Sequence, residues 1–117
     1  MHQSKLINSL AEQSASPWSP HPVYAGVALK TLAAGAQTGG RMSVHLVRVG
    51  PGCRLERHVH PGQCETHLVL AGSGKAWLAD QPVDYVAGNV QVIDAGAAHA
   101  VQAGDAGLVL MAIFGPA

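Results

Sequence analysis

The chain has 117 residues, a mass of 12.0 kDa and no formal net charge at pH 7, with 48% hydrophobic and only 12% charged residues. A chain of this length supports one domain that buries about 65% of its extended surface, enough for a core without staples. Zero net charge and few aromatic side chains (Trp18, Tyr24, Trp77, Tyr85 and Phe114) exclude the usual nucleic-acid footprint. The apolar balance excludes intrinsic disorder. The longest apolar run, Leu108 to Phe114, is too short to span a membrane. Cys53 and Cys64 form no C-x-x-C pair, and the first residues lack a continuous apolar signal segment, so a cytoplasmic location is expected. Against this plain background stand seven histidines, as many as all Lys and Arg together.

In chain order, Leu6, Ile7 and Leu10 recur at helical spacing and predict a short amphipathic helix over Ser4 to Gln13. The proline- and serine-rich stretch Ser14 to Pro22 predicts an extended arm that pins Trp18 to the surface. The helix and arm (1–22) are thus set apart from the rest of the chain (23–117). From Val23 on, short apolar or β-branched runs alternate with Gly, Pro, Asn and Asp. Strands are expected at Val23 to Leu32, Met42 to Val49, Arg54 to His60, Thr66 to Leu70 and Lys75 to Ala79. Further strands are expected at Asp84 to Val86, Val90 to Ile93, Ala98 to Gln102 and Leu108 to Phe114. Gly72 to Gly74 and Gly104 to Gly107 read as breaks. So many short strands predict an all-β sandwich or closed barrel.

The chemistry lies in the middle of that barrel. His58 and His60 stand two apart on an expected strand and so share one face. After a Pro61-Gly62 turn, Glu65 and His67 share a face of the next strand, and His99 follows a later turn. Neutral imidazoles with a carboxylate suit a divalent transition metal such as Fe, Mn, Ni, Co, Cu or Zn.

The spacing resembles that of the cupin superfamily. Its first motif, G-x5-H-x-H-x3-4-E-x6-G, is met by Gly52, His58, His60, Glu65 and Gly72. Its second, G-x5-P-x-G-x2-H-x3-N, is met by Gly88, Gly96 and His99, with Asp94 in place of the proline and Ala103 in place of the asparagine. The resemblance implies an RmlC-like jelly-roll barrel over 23–117, with His58, His60, Glu65 and His99 as the metal ligands.

Other residues have plainer readings. His2, His21 and His45 read as ordinary core or surface histidines, Cys53 and Cys64 as structural thiols, and Asp94 as a turn residue. Arg48, Arg54 and Arg57 read as solvated, the alternative being that one of them reaches an anionic ligand at the barrel mouth. His67 is either an acid/base facing the substrate or a residue lining the barrel. The functional expectation is a metal-dependent enzyme on a small organic substrate, of dioxygenase, isomerase or lyase type. The alternative is a non-catalytic module that binds a small molecule or sugar. A homodimer is expected, since so charge-poor a chain has apolar surface to cover.

Overall fold

The computed structural model describes residues 17–117; the expected helix over Ser4 to Gln13 and the first part of the arm lie outside the described residues. The arm from Pro17 onward is extended, and its residues Ser19–Pro20 add a short strand, β1, antiparallel to β2 (Val27–Ala33). Trp18 is pinned there, with the Arg48 guanidinium 4.3 Å and the Lys30 ammonium 5.9 Å from its ring centroid. A 3-10 turn at Gly35–Gln37 leads to β3 (Ser43–Val49) and then β4 (Arg54–His58). The remaining strands are β5 (Cys64–Leu78), β6 (Gln81–Val86), β7 (Val90–Ile93) and β8 (His99–Gly115). The architecture is all-β, as the punctuated sequence predicts, and it is arranged as the jelly roll that the resemblance implies. Among the described residues, no helix is long and apolar enough to cross a membrane.

Two expected breaks are not chain breaks at all. Gly72 to Gly74 lies inside β5, and Gly104 to Gly107 lies inside β8. Both strands pass from one layer of the sandwich to the other. The first part of β5 pairs with β7 and the last part of β8, whereas its second part pairs with β6 and the start of β8. In the same way β8 pairs with β4 near its start and with β3 near its end. The register between β5 and β8 shifts between Gly72 and Gly74, where the two strands bend together. Gly72 has φ +77°, and a Cβ there would stand 2.0 Å from the Gly107 carbonyl oxygen. The glycines are therefore corner residues that let two backbones touch, a requirement that on sequence alone looks the same as a loop.

The two layers enclose a core that includes Val27, Val49, Val69, Tyr85, Val101, Leu108 and Leu110. Each aliphatic side chain among them contributes about 1.5–3 kcal/mol through burial. The expected first barrel strand, Val23 to Leu32, starts later than predicted. Residues 23–26 form a bend and turn instead, and Gly26 takes φ +78°. That turn brings Val23 and Tyr24 to the mouth of the barrel. Cys53 and Cys64 are free thiols.

Candidate metal centre

The first donor reaches the barrel interior through an irregularity. Leu55 pairs with Val101 but His58 with His99, so three steps along β4 match two along β8. The extra residue is a β-bulge. Without it, alternation from the buried Leu55 would turn Arg57 inward and His58 outward. With it, Glu56 and Arg57 both face solvent and His58 turns in. The bulge also places His58 directly across from His99, with ring centroids 4.2 Å apart.

His60 is not on a strand, contrary to the expectation of a strand running to that residue. β4 ends at His58, and the His60 carbonyl accepts from the Gly96 N–H at 3.0 Å, tying the loop to the turn before β8. His60 still joins the group. On β5 the alternation is regular: Glu65, His67 and Val69 are buried while the residues between them are less so. Glu65 and His67 thus share the inward face as expected.

The donor atoms of His58, His60, Glu65 and His99 all lie within 4.8 Å of one another. Donors held at about 2.1 Å from a common ion stand no more than about 4.2 Å apart, so little movement would close the set. Two backbone carbonyls fix the tautomers. His58 Nδ1–H donates to the Glu56 carbonyl at 2.7 Å, and His99 Nδ1–H donates to the Ala97 carbonyl at 3.0 Å. A carbonyl can only accept, so each Nε2 is left as a lone pair. Glu65 Oε1 lies 3.0 Å from His99 Nε2 and 3.6 Å from His60 Nε2. Yet Glu65 Oε1 and His99 Nε2 are both buried without a hydrogen-bond partner, because their contact is short but not aligned as a hydrogen bond. Two buried polar atoms aimed at a common space are what a ligated cation would satisfy.

The second Glu65 oxygen is occupied differently. His67 Nε2–H donates to Oε2 at 2.8 Å, and His67 Nδ1 lies 2.9 Å from the Tyr85 hydroxyl, which donates to it when the ring is neutral. His67 is 2% exposed and has both ring nitrogens engaged behind the carboxylate. It does not line the cavity that opens in front of the cluster.

Electrostatics follow from this packing. Burial alone would push the Glu65 carboxyl up, but hydrogen bonding from His67 and the close approach of His99 outweigh it and hold the pKa at about 2. Burial lowers the pKa of His58 and His60. Burial also opposes charge on His99, but the Glu65 carboxylate and the Ala97 carbonyl outweigh it and raise its pKa. Burial, with the Glu65 charge behind it, pushes the Tyr85 hydroxyl up.

Residues 45–114 match the Cupin domain family. The chain belongs to the cupin family. Among solved structures it is similar to a predicted oxalate decarboxylase from Thermotoga maritima, with a TM-score of 0.82 at 21% identity over 90% of this chain and 96% of that one. It is similar to KdgF from Halomonas sp., with a TM-score of 0.78 at 17% identity over 89% and 91% of the two chains. It is also similar to the polyketide cyclase RemF from Streptomyces resistomycificus, with a TM-score of 0.79 at 16% identity over 95% and 81%. At these identities the likeness establishes a shared fold. No curated protein matches the chain in sequence.

In this cupin the cavity beside the cluster has a volume of about 360 Å³ and is lined by His58, His60 and Glu65 at one end. Its other polar side chains are His21, Tyr24 and His45. The plain reading of His21 and His45 as ordinary histidines therefore misses that both face this space. The signal for His45 was its place on β3 in step with Val47, an inward position that period-2 counting makes visible.

Proposed function

We propose that this cupin is a metal-dependent enzyme acting on a small organic substrate, with His58, His60, Glu65 and His99 holding a divalent transition metal. The observation that carries the reading is the pair of buried, unpartnered donor atoms, Glu65 Oε1 and His99 Nε2, facing the same space as two further imidazoles. A bound ion there supplies Lewis acidity toward a substrate oxygen or lowers the pKa of bound water. The chain's own part is to hold the donors deprotonated and oriented. The backbone carbonyls at Glu56 and Ala97 do this for two imidazoles, and His67 does it for the carboxylate.

The cavity favours this reading over a closed structural metal site, since structural sites are typically sealed by their ligands. For His67 the geometry supports positioning of Glu65 rather than proton exchange with a substrate, because neither ring nitrogen is free to meet one. The names of the structural neighbours, a decarboxylase and a cyclase among them, fit chemistry on small organic molecules and do not choose a reaction.

Elemental analysis of protein purified without added metal tests the assignment. One transition-metal ion per chain, lost in Glu65→Ala, is the expected result. Equal metal content in the two proteins, or none in the unaltered one after incubation with each candidate ion, would overturn it. A metal-loaded protein that binds small molecules but shows no turnover in a substrate screen would instead favour the binding-module alternative.

A further inference from the structure

The walls of the cavity carry information that the ligand cluster does not. We propose that this cavity receives a compact, mainly apolar ligand of about ring size, with one oxygen-bearing head turned toward the four donors and no second charged group. The head rests on the metal-centre reading above, whereas the body rests on the walls alone.

The walls are formed by Val23, Leu29, Val47, Leu55, Val59 and Phe114. A volume of about 360 Å³ is at the small end of ligand pockets and leaves room for a single ring with substituents. No lysine or arginine is among the described residues that line it. A small dianion could place one carboxylate on the donors' ion, but its second would meet apolar side chains with no counter-charge. An unpaired charge in such surroundings is strongly disfavoured.

A sugar meets a different obstacle. Apart from the cluster, the polar side chains of the lining among the described residues are His21, Tyr24 and His45. His45 already pairs Nδ1 with Thr31 Oγ1 and Nε2 with Ser43 Oγ, each at 3.1 Å. His21 Nδ1 accepts from the backbone N–H groups of Val23 and Tyr24 at 3.0 and 3.2 Å. Among the side chains of the described residues, what remains for a ligand is the Tyr24 hydroxyl and one nitrogen of His21. That set cannot satisfy the several hydroxyls of a sugar, and each one buried unpaired weakens binding.

An aromatic or compact aliphatic body fits better. Phe114 presents an edge contact to His60 at 5.2 Å between centroids, so the apolar wall runs directly into the donor set. Tyr24, with its ring centroid 6.4 Å from that of His58, adds a second aromatic side chain to the lining.

Two hydroxamates with the same metal-binding head and different bodies separate wall from head. In metal-loaded protein, benzohydroxamate is expected to bind at least about ten-fold tighter than acetohydroxamate, because the walls take up the ring. Both oxalate and glucuronate should bind more weakly than benzohydroxamate. A second arm needs no metal: in amide NMR of the metal-free protein, phenol should shift Val59, Leu29 and Phe114, and ribose should not. Equal binding of the two hydroxamates, tighter binding of oxalate or glucuronate, or shifts by ribose as large as those by phenol would each overturn the proposal. If the protein loads no metal the metal-centre reading fails by itself, and the phenol and ribose titrations still decide the body of the ligand.

Discussion

At the Glu65 end of the cavity three of the four donor side chains have an orientation fixed by a hydrogen bond, while among the described residues the walls are mainly apolar. The difference shows in how each region tolerates change. His58 and His99 are held by backbone carbonyls, and Glu65 by His67, which is bonded in turn to Tyr85, so three of the four donors depend on a second group. The wall side chains, such as Leu29 and Val59, depend only on volume and apolarity. Directional interactions at one end and non-directional ones at the other predict sharply different mutational responses.

The largest effect is expected for the donors. Glu65→Ala should weaken metal binding by about a hundred-fold or more, as measured by competition against a chromogenic chelator. The same assay on His45→Ala, whose ring lines the cavity without belonging to the donor set, should read within about two-fold of the unaltered protein. If the two variants bind metal alike, the contrast between the two ends of the cavity is wrong.

Next come the supports behind Glu65. His67→Leu frees Glu65 Oε2 and should lower metal affinity about 10- to 100-fold, with Tyr85→Phe at the low end of that range. Tyr85→Phe also leaves His67 Nδ1 without its buried partner, at a cost of about 1–3 kcal/mol in stability by denaturant melting. A purely structural role for the pair would lower stability and leave the affinity of the folded protein for metal unchanged.

How much of this was readable in the chain differs between the two regions. The four side chains that the structure clusters were legible because a motif of fixed spacing names them, and three of the four lie on strands whose apolar punctuation was also visible. What spacing could not show is the bulge between Leu55 and His58. Period-2 counting on an unbroken strand pairs His58 with His60, whereas the structure pairs His58 with His99 and leaves His60 in a loop. Nor could spacing separate a glycine that ends a strand from one that bends it. Gly72 and Gly107 are read as breaks until the two backbones are seen to touch. The walls were the least legible part. Val23, Leu29, Val59 and Phe114 come from distant segments, and only closure of the barrel makes them neighbours. His67 shows an intermediate case: its face was predictable, but its engagement on both nitrogens depends on Tyr85 from another strand.

A pH series sharpens the account of the donors with a smaller effect. In the metal-free protein, Glu65 held at about 2 adds stability that is present above the ordinary carboxylate pKa and lost as pH falls from there through about 2. The lowered His58 and His60 likewise favour the folded state above the ordinary value of 6.5, and that contribution is lost as pH falls below it. His99 acts in the opposite direction. Its raised pKa adds stability below 6.5 that is lost as pH rises through the raised value. A metal must displace that proton, so apparent affinity should fall by about ten-fold per pH unit where His99 is protonated. The rise in Tm on adding metal should accordingly be larger at pH 8 than at pH 6. A metal-induced shift that does not change with pH would remove His99 from the donor set.

The smallest expected effect comes from the residue that the bulge turns outward. Arg57 pairs with Asp80 at 3.0 Å, but both side chains are more than 60% exposed, at 62% and 69%. Solvent and salt screen such a pair, and Arg57→Ala should change stability by no more than about 0.5 kcal/mol with metal affinity unchanged. Deleting Arg57 is a different experiment on the same position. It removes the extra residue of β4, leaves Leu55 and His58 two apart as Val101 and His99 are, and should keep the His58 ring turned into the cluster. Metal binding retained by both the substitution and the deletion would show that the bulge absorbs one extra residue without which His58 still faces His99, whereas loss of binding in the deletion alone would show that the bulge itself shapes the metal centre.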